Sequence, residues 1–209
     1  MILLILASEI DQMYIPSYYR QNDYSEILSF LKANNFGIIL SSTNDKITGT
    51  HLPFLVNEIS DKSFSLTSHL AAANPQINDW KNKQDALVIF NGPHGYVSPS
   101  LYEEKQNVPT WNFIAVHVYG TVTIVNDFEE KMAILEKSIA AFEPEYFTQW
   151  NELNKAYKDK LTHGMTGLEF EVERIDAKFK MSQNKPEQTR KNVAKHFEDL
   201  GNDLKDYFK

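Results

Sequence analysis

The sequence predicts an α+β fold, in which strands and helices are mixed along the chain without regular alternation. Two runs, Ala86–Phe90 and Asn112–Val125, are rich in β-branched and aromatic residues, which is typical of strands. Helical periodicity occurs in blocks that do not alternate regularly with the strands. This order favours α+β over a doubly wound parallel sheet. The length of 209 residues and the absence of an internal repeat or linker predict one domain.

The first third of the chain predicts one helix and three strands. Tyr14–Arg20 is expected to be extended, because Pro16 fixes φ and blocks a helix start. Apolar residues then recur at helical spacing over Tyr24–Ala33. Three strands and a short helical piece follow, in this order: Phe36–Ser42, Thr48–Glu58, Phe64–Ser68 and the helical piece Leu70–Ala73.

The rest of the chain predicts strands separated by helices. Ala86–Phe90 is expected to be a central strand, and Gly92–Pro93 predicts a turn after it. Asp127 can cap a helix that runs to about Phe142. The other expected elements are a short strand (Tyr96–Pro99), a polar loop (Leu101–Thr110), a long strand (Trp111–Val125), a helix (Glu145–Leu161), a strand (Leu168–Ile175) and a last helix (Glu187–Leu200). Gly120 on the long strand suggests a bulge or a close approach of another backbone.

Composition excludes several classes of function. The formal net charge of −7 argues against a general electrostatic attraction to nucleic acid or to an anionic membrane. The chain has no cysteine, which excludes disulfides, thiolate catalysis and Cys-based metal sites. Such a composition is compatible with a cytoplasmic location, which we expect.

The first twelve residues are a candidate extension. The segment Met1–Ala7 is apolar but too short to span a bilayer, and no basic residue accompanies it. We interpret Met1–Gln12 as an extension outside the native fold or as a short edge strand, and a signal peptide is the less favoured alternative.

The motifs of common catalytic sites are missing. There is no Walker loop or G-x-G-x-x-G, and Ser98 does not lie in a G-x-S-x-G elbow. Several histidines fall on or beside predicted strands, but none has the spacing of a zinc site, so no metal is predicted. The carboxylates are spread over solvated helices, and no catalytic residue can be named.

A planar or anionic ligand held by loop residues fits the sequence better. The segment Ser68–Asn74 combines a strand end, small residues and polar side chains, which suits a phosphate held at a helix start. A buried helical turn that uses alanine for tight packing explains the same segment equally well. Trp111 could stack on a flat ring or could be a core residue.

Seven motifs occur in a characteristic order along the chain: Met13–Pro16, Thr50–Phe54, Ser68–Gln76, Ala86–Ser100, Val108–Phe113, Val116–Gly120 and Lys178–Lys185. Together they closely resemble the PaiB-type FMN-binding negative transcriptional regulators of bacteria. The likeness runs from Met13 nearly to the C-terminus. It therefore implies a single domain over residues 13–209, with residues 1–12 outside it.

The resemblance implies an FMN-binding split β-barrel of mostly antiparallel strands with flanking helices, related to pyridoxamine-phosphate oxidases. It also implies a homodimer with FMN at the subunit interface. By analogy, Thr50, His51 and Pro53 would lie beside the flavin. Its phosphate and ribityl chain would be faced by Ser68, His69, Leu70 and Asn74. The site would be closed, from the same or the partner subunit, by Thr110, Trp111, Asn112, Lys180, Ser182 and Gln183.

Two functions remain compatible with this resemblance: an FMN-binding regulator or sensor without turnover, and an FMN-dependent oxidoreductase of unknown substrate. DNA binding is implied by the resemblance alone. The best basic segment, Lys178–Lys195, is also explained as a solvated helix face. One departure concerns phosphate binding, since Ala72 stands where the family often has a basic residue.

Overall fold

The computed structural model describes residues 12–60 and 62–208. Apart from Gln12, the predicted extension lies outside these described residues. The described residues form seven strands: β1 (Phe36–Thr43), β2 (Lys46–Pro53), β3 (Leu55–Ser60), β4 (Ser63–Ala71), β5 (Gln84–Val97), β6 (Thr110–Val125) and β7 (Met165–Lys180). They also form five α-helices: α1 (Tyr24–Ala33), α2 (Phe128–Phe142), α3 (Phe147–Glu152), α4 (Lys155–His163) and α5 (Glu187–Asp199).

The strands form one sheet in the order β2-β1-β5-β6-β7-β4-β3. The pairs β1–β2, β1–β5, β3–β4 and β4–β7 are all antiparallel. An antiparallel sheet with helices outside it confirms the predicted α+β class. No helix among the described residues is long and apolar enough to cross a membrane.

The described chain divides into two compact units. The first contains residues 12–27, 91–117 and 176–208, and the second contains residues 28–60, 62–90 and 118–175. The predicted single domain over residues 13–209 stays a prediction. The long strands β5, β6 and β7 contribute residues to both units.

The second unit packs around buried aromatic and aliphatic side chains. Phe54 is 1% exposed and meets Phe90 edge to face, with ring centroids 5.5 Å apart. Helix α2 packs on this unit through Ile134, which joins Val125 and Met165 in a buried cluster. A Cβ atom added to Gly167 would lie 2.6 Å from Ile134 Cδ1, so the helix comes as close to β7 as a glycine allows.

The first unit packs around helix α5. Val193 and Phe197 of this helix are buried, as is Leu204 beyond it. A Cβ atom added to Gly95 would lie 2.3 Å from the Phe197 ring, so the ring rests on the β5 backbone. Gly201 follows the C-terminal end of α5. Its φ is +63°, the left-handed conformation that glycine adopts without strain.

Several predicted helices are confirmed. Helix α1 has the predicted bounds. Helix α2 ends at Phe142 and begins after Asp127, whose side chain accepts hydrogen bonds from the first-turn N–H groups of Glu129 and Glu130. The predicted helix over Glu145–Leu161 is wrong as one element. It divides into α3 and α4, and Asn154 caps α4.

Three other predictions, of a strand, a turn and an extended segment, are also corrected. The predicted strand Thr48–Glu58 is two strands separated by Phe54, because the Phe54 N–H donates to Asn35 O at 2.8 Å instead of joining a ladder. The predicted turn at Gly92–Pro93 lies inside β5, which also includes Tyr96. The expected extended segment Tyr14–Arg20 contains a short 3-10 turn at Ser17–Tyr19.

The predicted helical piece Leu70–Ala73 is wrong in a way that affects the site. Leu70 and Ala71 continue β4, where they pair with Thr166 and Met165 of β7. Pairing along the sheet thus overrides the helix preference of the alanines. The helical turn comes later, as a 3-10 helix over Pro75–Trp80.

Candidate functional site

The segment after β4 is held by hydrogen bonds between side chains of the second unit. The Asn74 side chain accepts from the Gln76 N–H at 2.9 Å and so caps the 3-10 helix. Asn74 Nδ2 also donates to Thr50 Oγ1 at 3.1 Å. Thr50 Oγ1 in turn donates to Gln76 Oε1 at 2.6 Å. The structure therefore brings the predicted site residues Thr50 and Asn74 into direct contact, and both also bond to the buried Gln76.

Backbone donors in this segment are largely used by the chain itself. The Ala72 N–H donates to Gly164 O, and the Asn74 N–H donates to Ala71 O. Pro75 has no N–H to offer. A phosphate here would depend on side-chain donors, since the helix start expected at Leu70 does not exist. The alternative of a buried alanine turn is also wrong, because Ala71, Ala72 and Ala73 are exposed.

The predicted residues on β4 point to both of its faces. Ser68 and Leu70 are buried, and Ser68 Oγ donates to Pro53 O at 2.6 Å. His69 lies on the other face, because side chains alternate along a strand. It pairs with Gly167, so it shares the face on which α2 packs. Burial lowers the pKa of His69, which favours a neutral imidazole.

His51 is set apart from this hydrogen-bond network. It is exposed on β2 and its ring stacks against Phe36, with centroids 6.2 Å apart. Its backbone pairs with Ile38 of β1. It makes no side-chain hydrogen bond to the other predicted residues within the described ranges, so it offers an accessible ring at the sheet edge.

The predicted residues of the first unit form their own group. Lys180 Nζ donates to Thr110 Oγ1 at 2.6 Å. Burial and the nearby Lys178 charge lower the pKa of Lys180. Beside this pair, the buried Asn112 and Ser182 exchange hydrogen bonds of 3.1 Å between their side chains. Four predicted residues therefore come together at the adjoining ends of β6 and β7.

Gln183 supports this group from the turn after β7. Its side-chain oxygen accepts from the Met181 N–H at 2.8 Å, and its amide nitrogen donates to Phe179 O at 2.5 Å. The preceding residue, Ser182, has a φ of +62°. Such a conformation costs free energy in a non-glycine residue, and the Gln183 bonds offset it locally.

Trp111 is a surface residue of the first unit. Its side chain is 52% exposed, which excludes the core alternative. Its ring lies 6.1 Å from the His94 ring and 5.9 Å from the Tyr96 ring, measured between centroids. The indole is thus held among other rings with one part open to solvent, as a stacking surface would need.

Gln76 is a residue of the site that sequence reasoning missed. It is 1% exposed, yet its amide bonds to side chains and carbonyls on two strands, β1 and β2. The only sequence signal was a glutamine placed two residues after an Asn that precedes Pro. Nothing in that pattern shows that the amide is buried.

Two other observations concern a possible metal site and a separate cleft. No group of three or more His, Asp or Glu side chains within residues 12–60 and 62–208 could hold a metal ion. A separate cleft of about 330 Å³ in the second unit lies between α1, β3 and the end of α2. None of the predicted site residues lines this cleft.

Each unit, taken by itself, offers groups of the kinds that FMN needs. A phosphate needs donors, which the Asn74 amide offers in the second unit and the Lys180 ammonium offers in the first. The ribityl hydroxyls need both donors and acceptors, and Thr50 offers an acceptor lone pair. The ring system needs a flat apolar surface, which Trp111 provides. Ala72 is exposed beside Asn74 and supplies no charge.

Comparison with known proteins identifies the family. The model of the family described as "Putative FMN-binding domain" matches residues 13–174. The chain is 33% identical over 192 residues to "Protease synthase and sporulation protein PAI 2" of Bacillus subtilis, covering 91% of each chain. It is 30% identical over 232 residues to an uncharacterized protein of Emericella nidulans, covering 91% of this chain and 92% of the relative. The relatives therefore include fungal as well as bacterial proteins.

Solved structures show the same fold at low sequence identity. The flavocytochrome Anf3 from Azotobacter vinelandii superposes with a TM-score of 0.63 at 16% identity, covering 81% of this chain and 73% of that one. The FAD and heme binding protein from Mycobacterium smegmatis superposes with a TM-score of 0.60 at 13% identity, covering 85% and 80%. The fold is the split β-barrel with flanking helices that the sequence resemblance implied. The chain belongs to the PaiB-like FMN-binding family, and its cofactor is FMN.

Proposed function

We propose that this FMN-binding protein acts as a regulator or sensor and has no substrate turnover of its own. The observation that carries the proposal is the match to PAI 2, at 33% identity along 91% of both chains. A bound FMN would supply a redox-active ring, while the protein's residues bind and orient it. No general acid or base stands out among the described site residues.

We propose that the phosphate is held by side chains rather than by a helix start. Asn74 offers an amide N–H, and His69 lies on β4, the strand that precedes it, where burial lowers its pKa and leaves a neutral imidazole that can donate one ring N–H. In a homodimer, the group formed by Thr110, Trp111, Asn112, Lys180, Ser182 and Gln183 would close the site from the partner subunit. A cytoplasmic location and weak DNA binding complete the proposal.

Flavin titration tests the binding part of this proposal. FMN should bind more tightly than riboflavin by about tenfold or more, the value of one charge-assisted hydrogen bond to phosphate. Ala72→Arg should tighten FMN and leave riboflavin unchanged, because the new cation would face phosphate. Ala73→Arg is the matched control, since Ala73 is the exposed alanine next to it. Equal affinities of the unmutated protein for FMN and riboflavin would contradict a phosphate site.

Two assays test the regulatory part. The FMN-loaded protein should oxidise NADH or NADPH no faster than free FMN at the same concentration. Sustained oxidation above that rate would support the oxidoreductase alternative instead. Binding to duplex DNA should weaken steeply with added salt, because the net charge is −7 and only a few cations can face phosphates. Tight binding to random duplex above physiological salt would contradict this charge argument.

A further inference from the structure

We propose that a partly buried polar network, formed by Asp79, Ser41, Gln76, Thr50 and Asn74, fixes which site atoms donate and which accept hydrogen bonds toward FMN. This inference rests on the proposed placement of FMN beside Thr50 and Asn74. Gln76, Ser41 and Asp79 act as positioning residues and do not touch the ligand themselves. All five residues belong to the second unit.

The hydrogen bond between Ser41 and Asp79 sets which atoms of the network donate and which accept. Ser41 Oγ donates to Asp79 Oδ2 at 2.6 Å. An ionised carboxylate accepts hydrogen bonds and has none to give. Because the hydroxyl of Ser41 has only one hydrogen, its oxygen is left as an acceptor for Gln76 Nε2, which lies 3.0 Å away.

The orientation of the Gln76 amide follows from its surroundings. Its nitrogen lies 3.0 Å from Thr48 O and 3.3 Å from Ile39 O, in addition to Ser41. Turning the amide over would bring its oxygen against two carbonyl oxygens, leaving buried acceptors without donors. Gln76 Oε1 must therefore face Thr50.

This orientation determines the role of the Thr50 hydroxyl. Its single hydrogen is used in the 2.6 Å bond to Gln76 Oε1, and one lone pair accepts from Asn74 Nδ2. A second lone pair remains. Thr50 can thus accept from a ligand hydroxyl or ring N–H, but it cannot donate to a phosphate while the network is intact.

Asn74 is fixed in the opposite sense. Its Oδ1 atom accepts from the Gln76 N–H at 2.9 Å, so its nitrogen points to Thr50. One Nδ2 hydrogen is used there, and the second makes no hydrogen bond to the described part of the chain. Asn74 is half-buried, so this hydrogen can reach a ligand oxygen. The site therefore presents a donor at Asn74 for phosphate and an acceptor at Thr50 for the ribityl chain or ring.

The test compares FMN and riboflavin affinities of single variants by fluorescence quenching. Asn74→Asp keeps the cap of the 3-10 helix but replaces the donor with a negative acceptor. It should lower FMN affinity at least about tenfold more than riboflavin affinity. Thr50→Val removes an acceptor that both ligands would use, so it should lower both affinities by a similar factor, and Thr50→Ser should restore them.

The positioning role is tested at Gln76. Gln76→Met keeps the side-chain shape and frees the Thr50 hydroxyl to rotate, so it should lower both flavin affinities. In the unmutated protein, FMN should also shift one Asn74 side-chain amide proton in an NMR spectrum, and Gln76→Met should reduce that shift. If Gln76→Met does not fold, Ser41→Ala removes one acceptor from the same amide and should give a smaller change of the same kind. Asn78→Ser is the control, because Asn78 is exposed on the same 3-10 helix and its side chain donates to Pro75 O, outside the network.

The outcomes separate this inference from the proposed function. Failure of the unmutated protein to bind any flavin would overturn the proposed function. Flavin binding with the same ratio of FMN to riboflavin affinity in Asn74→Asp would overturn the network inference alone. The network inference would also be overturned if the Gln76→Met variant bound both flavins as tightly as the unmutated protein and showed the same shift of the Asn74 amide proton.

Discussion

At the scale of single residues, two half-buried imidazoles make the stability of the fold sensitive to pH. His69 and His117 are half-buried, and burial lowers the pKa of each. The Asp176 carboxylate opposes this effect at His117 but is the smaller cause. Above their ordinary pKa of 6.5, both groups are neutral in the folded and unfolded states. Below it, the unfolded chain takes up protons that the folded protein resists.

The flavin-free protein should therefore become less stable as the pH falls from 7.5 to 5.5, since unfolding is then coupled to proton uptake. The double variant His69→Gln/His117→Gln should lose less unfolding free energy over this range, and each single variant should recover part of the difference. Urea unfolding at several pH values measures this. Parallel pH curves for the unmutated protein and the double variant would contradict the burial argument.

Residue-level sequence reasoning succeeded where a residue type has one physical use. Gly120 was expected at a bulge or close backbone approach, and a Cβ atom there would lie 1.9 Å from Glu171 O of β7. It failed where a role depends on burial. Neither the buried amide of Gln76 nor the 52% exposure of Trp111 can be read from the local sequence, because both are set by strands distant in the chain.

At the scale of elements, helices with local end signals were predicted better than the ends of strands. Helix α2 has a polar cap and a periodic apolar face, which are local signals. Strand ends depend instead on pairing with other segments. Thus β5 continues through Gly92 and Pro93, and β4 continues through Leu70 and Ala71, where local preference predicted a turn and a helix.

The β6–β7 contact at Gly120 gives an element-scale prediction. Gly120→Ala should lower the free energy of unfolding by about 3 kcal/mol, because the new methyl group would meet backbone, which cannot rotate away. Gly164→Ala is the matched control. Its Cβ atom would come no closer than 3.4 Å to any atom, and its φ of −76° suits alanine. Equal stabilities of the two variants in urea unfolding would show that β7 is not held against Gly120.

At the scale of the whole molecule, the ordered motifs identified the family although many local predictions were wrong. Several motifs in a fixed order depend on side chains from many parts of the fold, whereas a local pattern depends on one segment. The Asp79–Asn74 network shows the limit of this information. Its members come from β1, β2 and the segment after β4, and only the folded chain shows their hydrogen-bond directions.

We predict that the protein forms a homodimer in which aromatic side chains of the first unit are covered. Trp111 is 52% exposed, Tyr96 47% and Val108 75%, more apolar surface in one stretch than isolated exposed residues explain.

In a two-fold dimer each surface residue acts twice, so a charge placed at the contact weakens both halves. Trp111→Glu should raise the dissociation constant at least about tenfold. Tyr157→Glu, at a tyrosine 47% exposed on α4, is the matched control and should leave it unchanged. Sedimentation of the flavin-free protein at micromolar concentration measures both, and a single species near the 24.1 kDa chain mass would show that the unmutated protein does not dimerise.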